Sequence, residues 1–154
     1  MEFGTIEREL HIGASPEVVF DVISSPEHIR EWWSAETEIE PIAGSTSDLT
    51  WRDQATGAVN VVSITVIDVQ PPRLFAFRWT QEPREAPTPS NSLLVTFELT
   101  PSDDGTVLRF TETGFRERGW DTAELERTYQ DHVSGWDFYL PRIAERAAGQ
   151  TSAP

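Results

Sequence analysis

Apolar and polar positions alternate along the first two thirds of the chain and recur at helical spacing in the last third, and this change of period sets the expected architecture. Thr5–Ile12 alternates weakly, as a strand with one covered face does. Ser15-Pro16-Glu17 follows, where Ser15 can cap a helix whose first position is Pro16, with Val19, Phe20 and Ile23 as its short apolar face. The same punctuation at Ser25-Pro26-Glu27 predicts a second short helix through Ile29, ending near Trp32-Trp33. From 34 to 115 no helical period occurs, only strand-like runs at 49–51, 59–69, 74–79, 93–99 and 106–113. Gly44, Gly57, Pro71-Pro72, the segment 83–90 and Asp103-Asp104-Gly105 separate them.

Such short connections predict an antiparallel meander, with Asp104-Gly105 as a hairpin turn. The Pro-rich stretch 81–90 is the one long connection and is expected either to rim a site or to extend into solvent. Asp121, with Glu124 three residues on, has the form of a capping box and opens a helical pattern running toward Ala148. At 100° per residue, Leu125, Tyr129, Trp136, Leu140 and Ile143 share one stripe, with His132 and Val133 at its margins. Pro141 lacks an amide hydrogen and predicts a bend or break in this helix. Gly135, at the edge of the stripe, predicts the close approach of a neighbouring strand or loop. Strand, two short helices, meander and long helix together make an α+β pattern, expected as one domain over 1–148 with a loose tail at 149–154.

Charge narrows the partners. The formal net charge of −14 repels polyanions and anionic bilayers, so neither nucleic acid nor membrane insertion is expected. No basic start followed by an apolar run opens the chain, and a cytoplasmic location is the default expectation. Cysteine is absent, which removes thiol nucleophiles, zinc–thiolate clusters and disulfides. Lysine is absent too, which removes Schiff-base and pyridoxal-type chemistry. The histidines stand at no metal-ligand spacing, so no metal and no cofactor are expected, and no G-x-S-x-G elbow supports hydrolysis.

Six tryptophans are many for 154 residues. Trp51, Trp79, Trp136 and Tyr129 either line a cavity for an apolar ligand or fill the core. Alternation puts Phe77 on the face of Trp79, Phe97 on that of Leu99, and Glu112 in phase with Leu108 and Phe110. Glu112 either points inward, where it needs a hydrogen-bond partner, or reaches water at the strand end. His132, between Tyr129 and Trp136, either orients a ligand or exchanges a proton with it, or is a structural histidine.

Trp32-Trp33, Val69-Gln-Pro71-Pro72-Arg-Leu74 leading to Phe77-Arg-Trp79, Thr96-Phe97-Glu-Leu99, Thr111-Glu112-Thr-Gly114-Phe115 and His132-Val-Ser-Gly135-Trp136 with Leu140 occur in the order of a known family. Over about 6–147 the chain resembles the SRPBCC (START-like) superfamily, in the group similar to the C-terminal domain of the heat-shock-protein-90 ATPase activator. The resemblance implies a helix-grip fold, similar to the birch pollen allergen, in which a curved antiparallel sheet wraps a long C-terminal helix around a cavity. Members commonly hold lipids, sterols or polyketides, and some are cyclases or aromatases. It therefore implies a small hydrophobic ligand, with Trp51, Phe77, Trp79, Phe97, Phe110, Glu112, Tyr129, His132 and Trp136 as ligand-binding residues. If the protein is instead a cyclase- or aromatase-type enzyme, Glu112 and His132 are its proton-transfer groups. A third reading is a chaperone-associated interaction module like that activator; the eukaryotic activator carries a separate chaperone-binding domain not found in these residues, so a chaperone partner is not expected, and the sequence leaves a homodimer open.

Overall fold

Two serine–proline starts and one long amphipathic stretch fold as the periodicity predicts. The computed structural model describes residues 4–52, 55–80, 88 and 91–151. Strand β1 (Thr5–Ile12) leads into α1 (Pro16–Ser24) and α2 (Pro26–Trp32). The strands β2 (Thr46–Arg52), β3 (Val59–Gln70), β4 (Leu74–Thr80), β5 (Ser92–Ser102) and β6 (Gly105–Thr113) follow. A short 3₁₀ turn, Arg116–Arg118, then precedes α3 (Thr122–Thr151). Ser15 accepts from the Val18 amide at 3.3 Å, whereas the Ser25 hydroxyl donates to Asp21 Oδ1 instead of capping α2.

The strands form one curved antiparallel sheet in the order β1-β6-β5-β4-β3-β2, so the meander closes by laying the first strand beside the last. Ser102 pairs with Gly105 across the Asp103-Asp104 turn. At φ 150° Gly105 has room only for hydrogen, since a β-carbon there would stand 2.1 Å from the Ile12 carbonyl oxygen. Strand β2 begins at Thr46, three residues before its apolar run, because its polar start pairs with Thr65 of β3. The pairing of β3 with β4 shifts between Val66 and Asp68, which turns Ile67 outward to 45% exposure.

Helix α3 lies on the concave face, burying Trp136, Leu140, Ile143 and Ala147. Its start differs from a full capping box: the Glu124 amide donates to Asp121 Oδ1, but the Glu124 carboxylate takes Arg127 and Thr128. At Pro141 the helix does not break; Thr122–Thr151 is one element. Asp137 and Pro141 are both exposed, so the missing hydrogen bond falls on the solvent side of the helix, while Leu140 and Ile143 are buried on the other side. The helix also continues to Thr151, into the stretch expected as a tail, because Ala147 still packs in the core; 152–154 lie outside the described residues. Arg8 ties β1 to α3 through Asp137 at 2.8 Å, and this hydrogen bond raises the guanidinium above its ordinary value. No helix among the described residues is long and apolar enough to cross a membrane.

Candidate functional site

Strand alternation and the helix wheel converge on one buried carboxylate. On β6 the side chains of Thr106, Leu108, Phe110 and Glu112 all turn inward, and Glu112 is fully buried. An unpartnered carboxylate there would cost several kcal/mol. Three nitrogens offset that cost: Trp79 Nε1 donates to Oε2 at 2.8 Å, Trp136 Nε1 donates to Oε1 at 2.9 Å, and His132 Nδ1 lies 2.8 Å from Oε1. An indole N–H can only donate, so both carboxylate oxygens act as acceptors. One acid thereby fixes a strand indole, a helix indole and a helix imidazole.

The His132 ring is further held between Trp79 and Phe115, both with centroids 5.4 Å away, the latter edge-on. Glu112 takes its Nδ1, and Nε2 has no hydrogen-bond partner among the described residues. With Glu112 accepting, Nδ1 carries a proton, and in the neutral imidazole Nε2 then carries the lone pair.

Beside this cluster a cleft of about 560 Å³ opens between α3 and the β2–β5 side of the sheet. Trp33, Trp51, Trp79, Trp136 and Tyr139 supply its aromatic walls, with Val62 and Leu93 between them. Asn60, Thr80, Arg118, Asp131 and His132 bring polar atoms, and Gly135 completes the helix side. Trp33 connects cleft to core, its ring 5.2 Å from both Trp79 and Trp136, and its carbonyl accepts from Trp51 Nε1 at 3.0 Å.

Of the residues expected to bind a ligand, the structure brings Trp51, Trp79, His132 and Trp136 together on this cleft. Phe77, Phe97 and Phe110 lie deeper, as buried packing beneath α3, with Phe110 4.5 Å from Trp136. Glu112 stands behind His132, away from the cleft surface. Tyr129 is elsewhere: its ring packs on Phe115 and its hydroxyl donates to the Thr5 carbonyl at 2.8 Å. The stretch 81–90 expected to rim a site lies, but for Thr88, outside the described residues. Trp33, Asn60, Val62, Arg118, Asp131 and Tyr139 were not legible as lining residues; only Tyr139, three positions from Trp136 on the helix, carried a positional signal. Among the described residues no group of three or more histidines and carboxylates could hold a metal ion.

Gly135 corrects another expectation. Among the described residues no atom outside its own helix backbone and chain neighbours lies within 4 Å of where its β-carbon would stand, so none of the described strands or loops approaches; the glycine keeps the cleft wall low. Gly135→Ala is therefore expected to stabilise the fold by about 0.5–1 kcal/mol, since helix propensity improves without a clash. A rise in the urea midpoint at constant slope checks this, and a fall is the contrary result.

A six-stranded antiparallel sheet gripping one long C-terminal helix makes this a START-like, helix-grip protein. MLL2253 from Mesorhizobium loti shares the fold at 23% identity and TM-score 0.74, over 97% of this chain and 99% of that one. SA2116 from Staphylococcus aureus does so at 14% identity and TM-score 0.76, over 97% and 96%. The Aha1 dimer from Colwellia psychrerythraea matches at 17% identity and TM-score 0.67, over 94% and 96%. Residues 13–148 match the sequence profile described as activator of Hsp90 ATPase homolog 1-like protein, and the chain belongs to that family. No curated protein matches it in sequence.

Proposed function

We propose that this protein binds a small, largely apolar molecule in the cleft between α3 and the sheet. One observation carries the reading: four indole rings and Tyr139 wall a space of about 560 Å³, within the range of small-molecule sites. The deeper space beneath α3 is filled by Phe77, Phe97, Phe110 and Trp136, so the ligand sits at the mouth of the grip, against Trp51, Trp79 and His132. Aromatic walls of this kind supply contact area, and the few polar atoms supply orientation. The Colwellia neighbour is a dimer, which supports a homodimer of this chain as part of the same reading.

The His132–Glu112 pair favours a second reading, in which the bound molecule is a substrate. A carboxylate orienting an imidazole whose other nitrogen faces an apolar cleft is an arrangement suited to general acid–base work. His132 would then exchange the proton, with Glu112 holding its orientation.

Native mass spectrometry and titration with Nile red, a neutral apolar dye, test the binding reading. The intact protein is expected to carry a bound mass or take up the dye, and Trp51→Ala to weaken uptake about tenfold at unchanged circular dichroism. Neither bound mass nor uptake in the intact protein defeats the proposal.

A further inference from the structure

The geometry points to a neutral ligand bearing a hydroxyl group, whose O–H donates to Nε2 of His132 while its aromatic or apolar body lies against the cleft indoles. The inference rests on the binding reading above and adds the ligand's chemistry. His132 lines the cleft but Glu112 does not, so the imidazole turns Nδ1 inward to the carboxylate and its opposite edge outward. Glu112 in turn cannot swing away, because Trp79 and Trp136 donate to its two oxygens. An imidazole locked in this way presents an acceptor at a fixed place, and a ligand carbonyl meeting the same lone pair would be repelled.

Charge argues for a neutral partner. The protein carries a net charge of −14, and Asp131 lies on the cleft. The single arginine on the described lining, Arg118, is engaged: its Nη1 donates to the Asn91 carbonyl at 2.8 Å, and its guanidinium lies 4.7 Å from the Trp120 ring centre. A carboxylate or phosphate ligand would thus enter a repulsive field. A neutral hydroxyl meets no such repulsion, and its proton answers the lone pair.

A flat phenol fits both halves of the site, with its ring on the indoles and its hydroxyl on Nε2.

Three probes of similar size test this on the intact protein: 4-nitrophenol, 4-nitroanisole, in which a methyl replaces the hydroxyl hydrogen, and 4-nitroacetophenone, which offers only a carbonyl. Quenching of tryptophan fluorescence reads binding, nitrophenol absorbance verifies that the bound probe is neutral, and ¹⁵N NMR reads the His132 ring. Nitrophenol is expected to bind at least about tenfold more tightly than either analogue and to shift the Nε2 resonance, because a site built for a hydroxyl rejects ligands that lack one. The preference is expected to vanish in His132→Phe, which keeps a ring and removes the acceptor. Equal binding of all three, a preference for the ketone, or a nitrophenol preference that survives His132→Phe overturns the hydroxyl assignment and leaves the apolar cleft standing. If none of the three binds while Nile red is taken up, the hydroxyl assignment alone falls; if Nile red and bound mass are absent too, the binding reading falls with it. The comparison within the unaltered protein decides the matter even if the variant does not fold.

Discussion

Glu112→Ala is expected to destabilise the protein by about 3–5 kcal/mol, lowering the melting temperature on the order of 10 °C for a chain of this size. The loss comes from what the carboxylate leaves behind. Trp136 is buried and Trp79 and His132 are half-buried, and all three lose their acceptor once the two oxygens are gone. Glu112→Gln preserves volume but replaces one oxygen by a donor, which must then face an indole or imidazole N–H; it is expected to cost about 1–3 kcal/mol. Glu98 supplies the control, an exposed glutamate on the neighbouring strand, where Glu98→Ala is expected to change stability by less than about 0.5 kcal/mol. Urea denaturation of the three variants separates these outcomes. A Glu112→Ala loss no larger than that of Glu98→Ala would show that the buried carboxylate is not what the three donors depend on.

Glu112 was visible in the sequence as a phase, not as a site. Two-residue alternation put it beside Leu108 and Phe110, and the helix wheel put His132 and Trp136 on one stripe. Both patterns are local, and both hold in the structure. What brings Trp79 to the same carboxylate is register across β4, β5 and β6, where Trp79 pairs with Leu93 and Val95 pairs with Glu112. That pairing arises from long-range contacts no short window contains. Depth was equally hidden: Phe77, Phe97 and Trp79 share the inward face, yet two are sealed under α3 and one reaches the cleft. A period gives the side a residue faces and not its distance from solvent. Trp33 belongs to the segment after α2, where no period operates, so only the folded chain shows it bridging cleft and core. The same limit explains β2, whose polar residues 46–48 are strand because β3 pairs with them.

Trp136→Ala is expected to cost about 3–5 kcal/mol, the range for truncating a large buried aromatic. The indole is 2% exposed and its ring lies 4.5 Å from Phe110, 5.2 Å from Trp33, 6.1 Å from Trp79 and 6.5 Å from Phe97. Its removal opens the wall between the cleft and the phenylalanine packing, so Nile red uptake is expected to change along with stability. Trp136→Phe isolates the hydrogen bond, keeping an aromatic ring and losing the N–H to Glu112, for about 1–2 kcal/mol. A double-mutant cycle of Trp136→Phe with Glu112→Gln then measures how far the carboxylate and indole act as a unit, with an expected coupling of about 0.5–3 kcal/mol. Strict additivity would mean that the 2.9 Å contact contributes nothing beyond packing. A coupling in that range with dye uptake lost in Trp136→Ala alone would separate the two roles of this indole, since the alanine removes both wall and donor whereas the phenylalanine removes the donor and keeps a six-membered ring in the wall.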